Sequence, residues 1–114
     1  MARMATKVFM DQVVCNTGDT YSETIPIEYI YGYSVEADWT VTPGTKATIY
    51  LLATNLEDKP VNKLIPIDCT AQVISADDGK IWNVDWPMYK YFVFKVHVDS
   101  GSVTMTANFY AKGF

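Results

Sequence analysis

Few side chains in this sequence could do chemistry. The chain has one histidine, His97, with Lys95 and Asp99 at alternate positions on either side of it. An imidazole in that setting could serve as a general base or a metal ligand. No second histidine stands near it, and the two cysteines, Cys15 and Cys69, are far apart in sequence. The ligand set of a zinc site is therefore lacking, and His97 reads as an exposed histidine on the polar face of a strand. The acid pairs Glu57-Asp58 and Asp77-Asp78 each fall in a predicted turn. Calcium needs about six to eight oxygens, often from alternating positions, and the stretch around Asp77 offers few. No spacing recommends two carboxylates as a glycosidase pair. The nucleophile elbow and the glycine-rich phosphate loops are absent. We assign no catalytic residue, no cofactor and no metal.

Two further groups have a structural and a functional reading. Cys15 and Cys69 read as buried small hydrophobes of a protein made in a reducing cytosol, and they could pair only with Cα atoms within about 7 Å. Trp82, Trp86, Tyr89 and Tyr91 cluster in KIWNVDWPMYKY. Such rings could stack on sugar faces, or could fill the core or an oligomer interface.

The elements that would carry these residues are strands. From Gly32 to Thr54 the sequence reads as a long β-hairpin. Tyr33, Val35, Ala37, Trp39 and Val41 alternate with polar residues, Pro43-Gly44 supplies the turn, and Ala47, Ile49, Leu51 and Ala53 continue on the return arm. Tyr50 and Leu52 on the opposite face are large, so the return strand is expected to be covered on both sides. A second hairpin is expected from Tyr89 to Ala111, with Phe92, Phe94, Val96 and Val98 inward, a turn at Asp99–Ser102, and Val103, Met105, Ala107, Phe109 and Ala111 inward. Weaker strands are expected at Lys7–Cys15, Thr20–Ile30 (an edge, or two pieces, because of Pro26), Thr70–Ile74 and Lys80–Trp86. Gly79 is expected to take a turn conformation after Asp77-Asp78. No stretch has helical periodicity with caps.

Seven or eight short strands separated by Gly, Pro, Asn and Asp turns point to an all-β antiparallel sandwich, jelly-roll-like or, as the alternative, immunoglobulin-like. The 114 residues make one domain, 1–114, with residues 1–6 as a flexible arm. The net charge of −4 argues against non-specific nucleic-acid binding. No apolar run approaches the roughly 20 residues that span a bilayer, and the N-terminus lacks a secretory pattern.

Two patches resemble small virion proteins of tailed bacteriophages. The first is GYSVEADWTVTPGTKATIYLLATN, with the Gly-x-Ser-Val start, the Trp-Thr, the Thr-Pro-Gly turn and the closing Thr-Asn. The second is IWNVDWPMYKYFVFKVHVDSGSVTMTANFYAKGF, with its Asn-Val, aromatic strand, Ser-Gly turn, Thr-rich strand and closing Ala-Lys-Gly. Together they cover about half the chain. The loop NLEDKPVN departs from the family, which often has Asp-Gly-x-Asn-Trp there. The resemblance implies a non-enzymatic structural component of the virion, assembled in host cytoplasm on capsid, neck or tail proteins. It favours a capsid decoration or minor capsid protein forming a homo-oligomer, a trimer above others, with residues 1–14 reaching a neighbour. The alternative is a carbohydrate-binding module for host-surface glycan, with Trp82, Trp86, Tyr89 or Tyr91 as stacking platforms.

Overall fold

The computed structural model describes residues 3–28, 30–85 and 87–113. They form β1 (Arg3–Cys15), β2 (Gly18–Tyr21), β3 (Ile25–Pro26), β4 (Ile30–Val41), β5 (Lys46–Thr54), a 3-10 turn (Val61–Lys63), β6 (Ile65–Pro66), β7 (Gln72–Ile74), β8 (Asp78–Asp85), β9 (Tyr91–Ser100) and β10 (Val103–Gly113). All pairings are antiparallel. One sheet has the order β1-β10-β4-β8. In the other, β2 and β3 pair in turn with one edge of β9, β5 pairs with its other edge, and β5 carries β6 and β7 on its far side.

This is a rolled ribbon. The first half of the chain pairs with the second as β1·β10, β2·β9, β4·β8 and β5 with β6 and β7. The ribbon's closed end is the connection between β5 and β7. Rolling it places alternate pairs in opposite sheets, which is the jelly-roll form of the sandwich and excludes the immunoglobulin-like alternative.

The two expected hairpins are not hairpins. β4 and β5 lie in different sheets, and so do β9 and β10. Each turn is a corner that carries the chain from one sheet to the other. Alternation and turn residues are the same for a hairpin and for such a corner. What differs is whether the apolar rows end side by side in one sheet or face each other across the core. Here they face each other, and the two corners pack together. The Thr42 N–H donates to Ser102 O at 3.1 Å, Ser100 Oγ to Gly44 O at 3.1 Å, and Thr45 Oγ1 to Thr42 O at 2.7 Å. Thr45 is buried by this contact, at 3% exposure. Gly44 and Gly101 have φ of +78° and +80°. A Cβ on Gly101 would overlap Thr45 Oγ1 and lie 2.8 Å from Thr45 Cα, whereas one on Gly44 would meet nothing within 4 Å.

The inward rows are the expected ones. Tyr33, Val35, Ala37 and Trp39 of β4, Phe92 to Val98 of β9 at alternate positions, and Val103 to Ala111 of β10 are all buried, while Val41 is half-buried. The rings form a continuous layer: Phe9 and Phe94 lie 5.2 Å apart, Tyr33 and Phe109 5.2 Å, and Phe92 and Phe109 6.0 Å. Edge and offset contacts at these separations are the favoured ones. On the outside of the second sheet, Leu52 and Val93 are buried under Leu64, with Val61, Tyr21 and Tyr50 packed around them. β5 is thus covered on both faces, as its sequence suggests.

Three further expectations change. β1 already begins at Arg3, so Arg3–Thr6, read as part of an arm, pair with Gly113–Tyr110 of β10. Gly79 lies inside β8 opposite Asp38 and has no positive φ. Its lack of a side chain serves a close approach, because a Cβ there would lie 2.5 Å from Asp38 Oδ1. The Pro26 segment does split, into β2 and β3, with Pro26 in the two-residue strand beside β9, where a missing N–H is tolerated.

Candidate functional site

The densest group of interacting polar side chains among the described residues stands on the outer face of the second sheet. Alternation along β9 turns Lys95, His97 and Asp99 outward, because Phe94, Val96 and Val98 fill the core. β2 lies antiparallel beside it, with Asp19 opposite His97 and Tyr21 opposite Lys95. His97 Nδ1 is 2.6 Å from Asp19 Oδ1, and His97 Nε2 is 2.9 Å from Asp99 Oδ1. Lys95 Nζ is 3.8 Å from Asp19 Oδ1 and lies over the rings of Tyr50 and Tyr21, 5.3 and 5.7 Å from their centroids. Beside this cluster runs a cleft of about 330 Å³ whose far wall is Val61, Asn62 and Leu64.

The electrostatics follow from the geometry. The bond to Asp19, then the bond to Asp99, raises the His97 pKa above its ordinary value. The bond from His97, with help from the Lys95 charge, lowers the Asp19 pKa against the opposing effect of partial burial. Only the imidazolium donates from both nitrogens at once. In that form His97 has no lone pair for proton abstraction or metal ligation. The sequence placed His97 on a polar strand face between Lys95 and Asp99, and it is there. Asp19 was not anticipated, because 78 residues separate the partners and only the pairing of β2 with β9 joins them.

The aromatic group does not form one platform. Trp82 is buried at 6% exposure. Its ring meets Phe94 edge-on at 6.1 Å, and its Nε1–H donates to Thr70 O at 2.8 Å. Trp82 is a core residue, so its readings as a sugar platform or an interface residue are corrected. It points inward because β8 is an edge strand of the first sheet, whose inner face must still be filled. Tyr89 is half-buried, packs against the core and shares a hydrogen bond between its hydroxyl and that of Tyr33. Burial raises the pKa of both phenols. Tyr91 is half-buried on β9, between Pro26 and Thr54. Trp86 lies outside the described residues.

Tyr89 also borders a second, more apolar cleft of about 520 Å³, with Leu56, Ile65, Pro66 and Ile67 among its walls. Leu56, Ile65 and the nearby Met88 are exposed.

Of the paired acids, Asp77 and Asp78 accept backbone amides and the other two stand in solvent. Asp77 Oδ1 accepts the Val41 N–H at 2.8 Å and Asp78 Oδ1 the Gly79 N–H at 2.8 Å, while Glu57 and Asp58 are exposed. No group of three or more His, Cys, Asp or Glu among the described residues is arranged to hold a metal ion. Cys15 is buried, and burial raises its thiol pKa. Cys69 is exposed, with φ +61°, so the expectation that both cysteines are buried fails for it; both thiols are free.

No protein-family model matches the chain, and no characterised protein matches it by sequence. The fold is found in solved structures. The SPBc2 prophage-derived protein YomS matches with a TM-score of 0.59 and 10% identity over 99% of this chain and 96% of YomS. The PBSX exported protein XepA matches with a TM-score of 0.65 and 11% identity over 98% of this chain and 38% of XepA. The structure of infectious bursal disease virus, Gx strain, matches with a TM-score of 0.63 and 10% identity over 97% of this chain and 32% of that one. The chain thus spans nearly all of the first and about a third or more of the other two. At such identities the likeness establishes a common fold, the antiparallel jelly-roll sandwich.

Proposed function

We propose that this chain is a non-enzymatic structural component of a tailed-bacteriophage virion. In this reading it is a capsid decoration or minor capsid protein that assembles in host cytoplasm as a homo-oligomer, a trimer being favoured, on other virion proteins. The observation that carries the proposal is the end-to-end correspondence with a prophage-derived protein of matching length. The two phage-like sequence patches support it independently. They hold β4, β5, β9 and β10, the strands that form the corners and the centre of both sheets. The side chains that could do chemistry also fit a structural role. His97 is held between two carboxylates, Asp77 accepts the backbone amide of Val41 at the end of β4, and Asp78 accepts that of Gly79 within β8. The protein composition of purified particles tests the proposal: the chain should be present in many copies, and particles lacking it would contradict a virion role.

A further inference from the structure

We propose that Asp19, His97 and Asp99 form a proton-operated latch that fixes edge strand β2 to β9. β2 has four residues and pairs with a neighbour on one side, β9. Its Asp19 reaches one imidazole nitrogen and Asp99 of β9 reaches the other. Two carboxylates on two nitrogens require two N–H donors. Loss of one proton turns one of these contacts into a lone pair facing a carboxylate. The latch then changes from two charge-assisted bonds to one bond and one repulsion.

The surroundings leave His97 as the group that switches near neutral pH. From β9 itself Lys95 and Asp99 face it, and from β2 Asp19 and Tyr21. On β5 the opposite residue is Thr48, with Tyr50 one outward position away and Lys46 at the strand's start opposite Ser100. Across the cleft stands Asn62. Of these side-chain types the imidazole is the one whose ordinary charge change falls between pH 5 and 8. Lys95 does not replace His97, since its ammonium is 3.8 Å from Asp19 and stacked between two phenol rings.

The sign is as follows. The His97 pKa is raised in the folded protein. Both charge-assisted bonds are present below the ordinary histidine value of about 6.5, and one of them is lost as pH rises through the higher folded value. Beyond Tyr21 the chain is pinned again: Ser22 is buried, its N–H donates to Phe94 O at 2.8 Å, and its Oγ accepts the Phe94 N–H at 2.9 Å. Opening is therefore confined to Gly18–Tyr21. It moves Asp19 and Tyr21, which line the 330 Å³ cleft, so the shape of that cleft follows the protonation of His97.

Amide hydrogen exchange of the intact chain by NMR, corrected for intrinsic rates, tests this at pH 6 and pH 9. Protection of the β2 amides should fall about two- to five-fold at the higher pH, the range expected of a surface ion pair. Core amides of β5 and β10 serve as the internal reference and should not change. The variant His97→Gln should abolish the difference by holding β2 at one protection at both pH values. The His97 ring resonances, followed by ¹⁵N shifts, should titrate with a midpoint above 6.5 in the parent chain and lower in Asp19→Asn. Equal pH dependence in the parent and His97→Gln, or a parent midpoint at or below 6.5, would overturn the latch.

Discussion

Replacing Gly101 by alanine probes the packing of the two corners, and Gly44 supplies its control. Both glycines have φ near +80°, so alanine at either incurs the left-handed backbone cost of about 1–2 kcal/mol. The sites differ in what the new methyl meets. At Gly44 there is open space, whereas at Gly101 the methyl overlaps Thr45 Oγ1 and comes within 2.8 Å of Thr45 Cα. Thr45 cannot rotate away cheaply, because it is buried and its hydroxyl donates to Thr42 O. Backbone must move, which adds an overpacking cost of about 1–3 kcal/mol. Gly44→Ala should therefore lose about 1–2 kcal/mol and Gly101→Ala about 2–5 kcal/mol, read as midpoint shifts in equilibrium urea unfolding with an unchanged slope. If the segments were hairpins within one sheet, each glycine would sit at a separate solvent-facing tip. Equal losses from the two variants would refute the packed corners.

Trp82→Ala should cost about 3–5 kcal/mol, and Trp82→Phe less but still about 1–3 kcal/mol, since Thr70 O loses its donor; thermal or urea unfolding checks both, and a loss below about 1 kcal/mol for alanine would return Trp82 to the surface. With a thiol reagent at pH 8, one cysteine should react promptly and the other only on unfolding. Mass mapping should assign the fast site to Cys69 and the slow one to Cys15, whose thiol burial holds above its usual pKa.

The layer structure was legible in the sequence because a period of two is a local property. The rows Tyr33–Trp39, Phe92–Val98 and Val103–Ala111 are buried as their alternation suggests. So is Leu52, whose bulk on the polar side of β5 signalled a second cover. Which strands pair was not legible. Thr42-Pro43-Gly44-Thr45 is turn chemistry for a hairpin and a corner alike, and the choice is made by contacts such as Ser102 with Thr42, 60 residues apart. Gly79 misled for a related reason. After two aspartates a glycine signals a turn, but this one is a gap for Asp38 of the neighbouring strand. Trp82 stayed open between a core ring, an interface ring and a sugar platform, because KIWNVDW does not reveal which face of an edge strand meets the core. The latch depends on Asp19, which follows Asn16-Thr17-Gly18 and has no local sign of a histidine partner. Strand register alone brings the two together.

The most direct measurement of the proposed virion role is quantitative mass spectrometry across a density gradient of particles from a culture that expresses this chain. A structural component should band with the particles and keep a constant ratio to the major capsid protein from fraction to fraction. Recovery of the chain in the soluble lysate, with no fixed ratio in the particle fractions, would contradict a virion role.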